Sequence, residues 1–419
     1  MTTVTSTTTS SRAFWTYWTA SATSGLGSAV TSVALPLTAV LVLHAGAVEM
    51  GVLAAAAYVA WLVIGLPAGA IARHLPLRGL QVGADVVRAL AVVSVPVAWW
   101  FDVLSMGQLV GVALVLSFAD VLFFVANTTF LPSVVPRDQL QARNSLMSGT
   151  HAVTQLGGPS LGGLLVQLLG AAPALLADAV SYLASALLLH RLPEVAIESD
   201  PERTPLREQI REGWRFVTRH PVMNPLTWAA TAINFVCGGQ LALFAVYLVR
   251  DLDAPAGLVG FLLAAEGVGS LVGAALCPRI VRSVGSARAC VLGGSVAVAG
   301  AFLIPLGAGW GGYVAFAAGN IVFAGGVVVF STTTRTYRQV ASPPILLSRV
   351  MATVRFISWG AIPVGGLLAG VVAAGIGLRE TLVAYAALSL LAPLLLLASP
   401  VRTMHDFPEN ASTDERNLT

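Results

Sequence analysis

Twelve stretches of about 20 apolar residues follow one another along this chain, separated by polar connections. A bilayer core about 30 Å thick is crossed by one helix of that length, so each stretch predicts a membrane-spanning helix. Only 10% of the 419 residues are charged, whereas soluble proteins average about 25%. We therefore predict an all-α membrane protein with twelve transmembrane helices. The predicted spans cover residues 14–43, 49–71, 80–101, 106–131, 144–169, 172–190, 223–249, 256–278, 287–307, 311–334, 347–374 and 380–398.

The longest connection, residues 191–222, divides the twelve predicted spans into two sets of six. We expect an N-terminal six-helix bundle over 14–190, a C-terminal six-helix bundle over 223–398, and flexible tails at 1–13 and 399–419. Within the connection, four apolar residues and four arginines each recur at helical spacing, namely Leu206, Ile210, Trp214 and Val217, and Arg207, Arg211, Arg215 and Arg219. This pattern predicts a cytoplasmic amphipathic helix whose arginines meet anionic lipid headgroups, with a solvated linker helix as the alternative.

Arginine provides all 23 basic residues, and its distribution predicts the orientation of the chain. If the N-terminus is inside, 19 arginines lie in inner connections or at inner helix ends, and only Arg250 and Arg379 lie outside. The other two, Arg88 and Arg355, lie within predicted spans. Because basic residues accumulate on the cytoplasmic side, we expect a multi-pass protein of the plasma membrane with both termini in the cytoplasm.

A proline and glycine element in the fifth predicted span has an echo in the eleventh. Gly158, Pro159, Gly162 and Gly163 stand in the fifth span, and the echo 203 residues later contains Pro363, Gly365 and Gly366. A second match joins Gly69 to Gly273 at an offset of 204. Small residues let membrane helices approach closely, and two matches at nearly half the chain length predict two related halves.

The six-plus-six arrangement and the element in the fifth span resemble the major facilitator superfamily. Gly158, Pro159, Gly162 and Gly163 match the core of that family's antiporter motif, although Ser145 and Thr154 replace its upstream glycines. The resemblance implies a major facilitator fold, packing of helix 5 against helix 8, and export by antiport.

The family's gating motif between helices 2 and 3 is largely lost. Only Gly69 and Arg78 match it, and Arg73 replaces its acidic residue. Asp85 and Arg88 follow on helix 3, on one face at three-residue spacing, and provide a candidate substitute pair at the inner mouth.

Shorter stretches resemble one branch of the superfamily, which holds macrolide exporters, Tap-like multidrug pumps and the enterobactin exporter. They are residues 132–136, 178–182 and 210–216, the last followed by His220 and Pro221. This resemblance implies efflux of small compounds by alternating access of the two bundles.

Charged residues within spans are costly and therefore mark candidate functional sites. Asp120, near the middle of the fourth span, is a candidate for binding a cationic substrate or exchanging the coupling proton. Glu266, in the eighth span, is a second candidate, and we expect it to contact His151 or Arg355 in a pair that protonation breaks. The alternatives are an internal hydrogen bond for Asp120 and static pairing for Glu266. For Asp178, in the sixth span, we expect structural pairing.

In the major facilitator fold, helices 1, 4, 7 and 10 line the cavity, so their polar and aromatic residues are candidate substrate contacts. Aromatic walls with few polar groups suit a bulky amphipathic ligand, although each aromatic residue also fits plain packing. The candidates are Trp18, Phe123, Asn127, Asn234, Gln240, Phe244, Asn320 and Phe323.

The sequence carries no phosphate-binding loop, and its histidines and three cysteines lack metal-ligand spacing. We therefore expect no catalytic site, metal, cofactor or nucleic-acid partner. The expected partners are a small-molecule substrate, protons and the lipid bilayer, and we expect a monomer. The predicted function is proton-coupled efflux of small amphipathic compounds such as a drug, a siderophore or a secondary metabolite. The alternatives are an uptake permease of the same fold and a non-transporting membrane sensor.

Overall fold

The computed structural model describes residues 4–65, 76–135, 139–194, 206–343 and 346–408, and within these ranges the chain is helical and has no strand. In chain order the helices are α1 (Val4–Leu41), α2 (Ala47–Val63), α3 (Leu77–Trp100), α4 (Met106–Val134), α5 (Leu140–Leu169), α6 (Ala171–His190), α7 (Leu206–Arg219), α8 (Met223–Arg250), α9 (Ala256–Val284), α10 (Ser286–Leu303), α11 (Gly309–Ala341), α12 (Leu347–Trp359), α13 (Ala361–Ile376), α14 (Leu378–Ser389) and α15 (Leu391–Leu397), followed by a 3-10 turn at Pro400–Thr403.

Ten helical segments within the described ranges are long and apolar enough to cross a membrane. Helix α2 is apolar but shorter. Helix α5 has 30 residues, but glycine, proline and glutamine dilute its apolar side chains. The prediction of an all-α protein with many membrane helices is therefore confirmed, whereas the number twelve and the cytoplasmic termini stay predictions.

Two of the predicted spans are each interrupted once. The eleventh is divided at Gly360 between α12 and α13, and the twelfth at Leu390 between α14 and α15. Each break lies three residues before a proline, Pro363 or Pro393. Proline has no N–H to donate to the carbonyl four residues earlier, and its ring clashes with that carbonyl, so the helix breaks there.

The contacts between Cα atoms divide the chain into two compact units. Unit 1 comprises Met1–Pro201 and Ala254–Ala264, and unit 2 comprises Glu202–Asp253 and Ala265–Thr419. The first turns of α9 therefore belong to unit 1, and α7 belongs to unit 2. Helix α1 begins at Val4, inside the segment expected to be a tail.

In unit 1, α1 packs against α5 and α6, and α3 packs against α4 and α6. Helix α2 packs against α4. Aromatic and aliphatic side chains at one end of these helices form a buried core, which includes Phe14, Tyr17, Leu77, Phe130 and Leu189. This packing brings α1, α3, α4 and α6 side by side, where their polar side chains meet.

In unit 2, α8 packs against α13 and α14, while α10 packs against α11. The predicted amphipathic helix forms as α7, and it packs on α12. Gly213 allows this contact, because a β-carbon there would lie 2.7 Å from the Arg349 carbonyl oxygen. Glu212 forms an ion pair with Arg349, and Val217 is buried. The four arginines of the predicted stripe are exposed.

The C-terminal segment, expected to be a tail, closes the N-terminus of α10. The Ser286 N–H donates to Asp406 Oδ1 at 2.7 Å, and the Phe407 N–H donates to Ser286 Oγ at 2.8 Å. The Phe407 ring lies 4.6 Å from the Tyr337 ring. These contacts provide acceptors and packing for a helix start that would otherwise leave its first N–H groups unpaired.

Candidate functional site

A buried arginine joins two helices of unit 1 through carboxylates. Arg88 Nη1 lies 3.0 Å from Asp85 Oδ1 on α3, and Arg88 Nη2 lies 2.8 Å from Asp120 Oδ1 on α4. The side chains of Arg88 and Asp85 are 3% and 0% exposed, whereas that of Asp120 is 52% exposed. The local pair expected on α3 is therefore present, and it extends to the acid that the sequence had marked as a proton-exchange candidate.

Two aromatic rings hold the same guanidinium. The Arg88 Cζ atom lies 4.5 Å from the centre of the Phe123 ring and 5.4 Å from that of Tyr182. Arg88 Nη2 also donates to the Ala119 carbonyl oxygen at 3.1 Å. Cation–π contacts are strongest where water is excluded, so the rings and the carbonyl fix the position of the arginine.

A third carboxyl, Asp178 on α6, is fully buried beside this cluster and acts electrostatically on Arg88. Its Oδ1 accepts a hydrogen bond from the Ser181 hydroxyl at 3.0 Å. Gly27 of α1 lies against both side chains, since a β-carbon there would be 2.3 Å from Asp178 Oδ1. One oxygen of Asp178 and one of Asp85 have no hydrogen-bond partner among the described residues.

The cluster holds more acid than base. Asp85, Asp120 and Asp178 surround the single guanidinium of Arg88, so two negative charges are unbalanced when all three carboxyls are ionised. Unpaired charge in a membrane interior is costly, and the uptake of protons by carboxyls restores neutrality. The arrangement is therefore able to hold and release protons.

The other predicted residues of unit 1 make separate contacts. Trp18 Nε1 donates to Thr150 Oγ1 at 2.9 Å, and the Tyr17 hydroxyl donates to Asn127. His151 is exposed on α5. The structure thus brings Asp120 and Phe123 together at Arg88, but it does not bring Trp18, Asn127 or His151 into that cluster.

The glycine element of α5 makes two kinds of close contact within unit 1. A β-carbon on Gly158 would lie 2.2 Å from the Ala29 β-carbon of α1, and one on Gly162 would lie 3.1 Å from Val30 Cα. A β-carbon on Gly163 would lie 2.7 Å from Gly260 Cα, in the first turns of α9. The family resemblance implies packing of helix 5 on helix 8, and these two spans are α5 and α9 in this structure. Gly163 makes that contact, whereas Gly158 and Gly162 pack on α1.

The candidates around the missing gating motif are only partly described. Gly69 and Arg73 lie outside the described residues. Arg78 Nη1 donates to the Leu192 carbonyl oxygen at 2.8 Å, and its Nη2 lies 3.2 Å from Glu194 Oε2. Arg78 therefore ties the start of α3 to the segment that follows α6.

In unit 2, Glu266 is exposed and forms no ion pair with any residue that the structure describes. Its carboxyl acts electrostatically on the Cys237 thiol of α8. Arg355 lies over the Trp359 ring, with Cζ 4.2 Å from its centre. The expected contact between Glu266 and Arg355 is thus not formed in this conformation, because each side chain has a different neighbour.

Most of the expected cavity residues of unit 2 are buried in the structure. Asn234 Nδ2 donates to the carbonyl oxygen of Ala230, one turn earlier on α8, at 2.9 Å. Phe244 packs edge-on against Phe316, with ring centres 4.8 Å apart. Four of the expected residues are less than 9% exposed, namely Gln240, Phe244, Asn320 and Phe323.

The echo of the glycine element is also buried. Pro363 and Gly366 pack in the interior with Gly365, where a β-carbon would lie 2.0 Å from the Phe235 carbonyl oxygen of α8.

The pairing of Arg88 with Asp120 and the contribution of Tyr182 are missing from the sequence interpretation. A usable signal was present, since Arg88 is the single arginine within the first six predicted spans and is therefore the natural partner for acids there. Asp178 and Tyr182 are also four residues apart on one face of α6.

Comparison with known proteins gives the same fold and a family. A sequence profile described as transmembrane secretion effector matches residues 4–417. The multidrug efflux pump Tap of Mycolicibacterium fortuitum is 29% identical over 399 residues, covering 90% of this chain and 92% of that protein. Tap of Mycobacterium tuberculosis strain H37Rv is 27% identical over 405 residues, covering 93% of each.

Solved transporter structures share the fold at low sequence identity. The nucleoside transporter NupG gives a TM-score of 0.77 at 11% identity, covering 94% of this chain and 99% of that one. A bacterial homologue of the iron transporter ferroportin gives 0.72 at 15% identity, covering 92% and 98%. These relatives are transporters and not enzymes, and the predicted resemblance to the superfamily and to its Tap-containing branch is confirmed. The chain is a multi-pass membrane protein that belongs to the transmembrane secretion effector family of major facilitator transporters.

Proposed function

We propose that this transporter exports small amphipathic compounds in exchange for protons, by alternating access. The Arg88 cluster carries the proposal, because it combines a buried base with an exposed acid, Asp120, at 2.8 Å. Relationship to the Tap multidrug efflux pumps over most of the chain supports export and the class of substrate.

Asp120 is the proposed proton carrier. We choose Asp120 because its side chain is 52% exposed, whereas Asp85 and Asp178 are buried. Protonation of Asp120 removes its charge and breaks the ion pair with Arg88, which keeps its pair with Asp85. This exchange changes the link between α3 and α4, and provides a physical connection between proton binding and helix movement.

Glu266 is a second proposed proton site, since it is an exposed carboxyl on a predicted membrane span. In this proposal His151 and Arg355 are its partners in other conformations. Trp18, Phe123 and Asn127 remain proposed substrate contacts, because aromatic rings with a few polar groups suit amphipathic ligands. We also propose that the exposed arginines of α7 meet anionic headgroups.

Everted membrane vesicles test the proton coupling. Vesicles that contain the full chain should accumulate a fluorescent amphipathic cation when their lumen is acidified, and a protonophore should stop accumulation. Asp120→Asn should reduce the rate at least tenfold, because the amide cannot exchange a proton at this site. Asp102→Asn is the matched control, since Asp102 is exposed in the connection after α3.

Accumulation that persists after the gradient is collapsed excludes proton coupling. A wild-type rate for Asp120→Asn excludes this residue as the carrier. Cells that lack the protein should retain more substrate, whereas reduced retention indicates an uptake permease. Ligand binding without flux in proteoliposomes indicates a sensor.

A further inference from the structure

A second buried base lies at the end of α11 in unit 2, separate from the Arg88 cluster. Arg338 is 7% exposed, and Ser342, one helical turn later, is 5% exposed. The Nε and Nη2 atoms of Arg338 and the Oγ atom of Ser342 are buried, with no hydrogen-bond partner among the described residues. The Ser342 N–H donates to the Arg338 carbonyl oxygen at 3.2 Å, which keeps the two residues in register.

No acid accounts for this arginine within the described part of unit 2. The titratable side chains that act on Arg338 are the Cys290 thiol of α10 and the Arg335 guanidinium, and neither is a carboxylate. The neighbouring Tyr337, Ala341 and Cys290 belong to a buried hydrophobic core. Native proteins rarely bury an unsatisfied polar group, and a buried guanidinium without a counter-charge is especially unfavourable, so a ligand is the natural explanation.

The surrounding surface is basic. Helices α10 and α11 run side by side in opposite directions, since a β-carbon on Gly293 would lie 2.8 Å from Phe330 N and one on Gly300 would lie 2.3 Å from Phe323 N. The start of α10 and the end of α11 are therefore at the same end of unit 2. Arg288, Arg335 and Arg402 are exposed there. The neighbouring acid Asp406 already accepts the Ser286 N–H.

We propose that Arg338 and Ser342 bind a phosphate group at this end of unit 2. The planar guanidinium presents two N–H groups in the geometry that phosphate oxygens accept, and the serine hydroxyl adds a third donor. The exposed Arg335, which acts electrostatically on Arg338, attracts the same charge. The phosphate belongs either to an anionic phospholipid headgroup or to a small soluble phosphate compound, because both present the same oxygens.

Thermal unfolding of the purified full chain tests this site. One arm adds inorganic phosphate to lipid-depleted protein in detergent, and the other compares nanodiscs of phosphatidylglycerol with nanodiscs of phosphatidylcholine. We expect the midpoint of the wild type to rise in at least one arm. Arg338→Gln should reduce this rise of the midpoint at least tenfold, and Ser342→Ala should reduce it less. Arg402→Gln removes an exposed arginine of the same end and should leave the rise of the midpoint within twofold of the wild-type value.

The two arms distinguish the sources of phosphate. Stabilisation by phosphatidylglycerol alone identifies a lipid headgroup, and stabilisation by inorganic phosphate identifies a soluble ligand. In phosphate-free detergent, Arg338→Gln should unfold at a midpoint no lower than the wild type, since it removes an unpaired buried charge. If Arg338 were purely structural, its replacement by glutamine would instead lower that midpoint.

The proposal is overturned if neither arm stabilises the wild type, or if Arg338→Gln responds as strongly as the wild type. If Arg338→Gln does not fold, Arg338→Lys and Ser342→Ala decide the question. Lysine keeps the charge but loses the planar fork, and alanine lacks the hydroxyl donor of Ser342. Both variants should therefore bind phosphate more weakly than Arg402→Gln does.

Discussion

Two adjacent glycines of α5, Gly157 and Gly158, should respond oppositely to alanine. A β-carbon on Gly158 would lie 2.2 Å from the Ala29 β-carbon, whereas one on Gly157 has no atom within 4 Å. Carbon atoms in contact prefer about 3.5–4.0 Å, so Gly158→Ala must move α1 and α5 apart by more than about 1 Å. Overpacking of this kind costs about 1–3 kcal/mol.

The assay is thermal unfolding of the purified protein in detergent. For Gly158→Ala we expect a midpoint lower by about 2–12 °C, because both helices must shift from their close approach. Gly157→Ala should leave the midpoint unchanged or raise it slightly, since alanine favours helix more than glycine does. The comparison is closely matched because both substitutions add one methyl group to the same turn of the same helix.

A swap of the methyl group across the interface provides the decisive control. Ala29→Gly removes the clashing atom, and the Ala29 Cα would be 3.5 Å from the new β-carbon, which is an ordinary contact. The double variant Gly158→Ala with Ala29→Gly should therefore recover most of the lost stability. Equal midpoints for Gly158→Ala and Gly157→Ala, or no recovery in the double variant, would refute the packing argument.

Three further substitutions have defined outcomes. Arg88→Gln leaves three carboxyls without a base, so transport should fall at least tenfold and the unfolding midpoint should be lower than that of the wild type; an unchanged midpoint would contradict this. Gly365→Ala places a β-carbon 2.0 Å from a backbone oxygen of α8 and should lower the unfolding midpoint, whereas Gly375→Ala, with no atom within 4 Å, should not. The Ser286 N–H and the neighbouring His405 hold the pKa of Asp406 below its ordinary value, so its contribution to stability is present above the unfolded pKa and is lost as the pH falls through the folded pKa. Asp406→Asn should therefore lower the unfolding midpoint at pH 7 and have a smaller effect near pH 3, and an equal effect at both values would show that the charge is not involved.

The helical architecture could be predicted from the sequence because apolar length alone decides where a membrane helix forms. The sequence does not predict the breaks at Gly360 and Leu390, although Pro363 belongs to the repeated element. A proline in a membrane helix is often tolerated, so its presence does not by itself fix a break.

The charge cluster could be predicted only in part. The spacing of Asp85 and Arg88 on α3 indicates a local pair, but the contact with Asp120 depends on how α3 packs against α4, which no local pattern contains. Gln240, Asn320 and Phe323 are buried, and their place at a cavity wall stays a prediction. The sequence shows that a helix carries polar residues, but their direction depends on its rotation against its neighbours.

The closure of α10 by the C-terminal segment has a consequence for biosynthesis. Ser286 and Asp406 are 120 residues apart, so the N-terminus of α10 lacks this acceptor until the ribosome has added those residues. At about 5–20 residues per second, the ribosome needs about 6–24 s to add that length. The start of α10 therefore waits for this acceptor after its own synthesis, and a truncation that removes Asp406 leaves it without the acceptor.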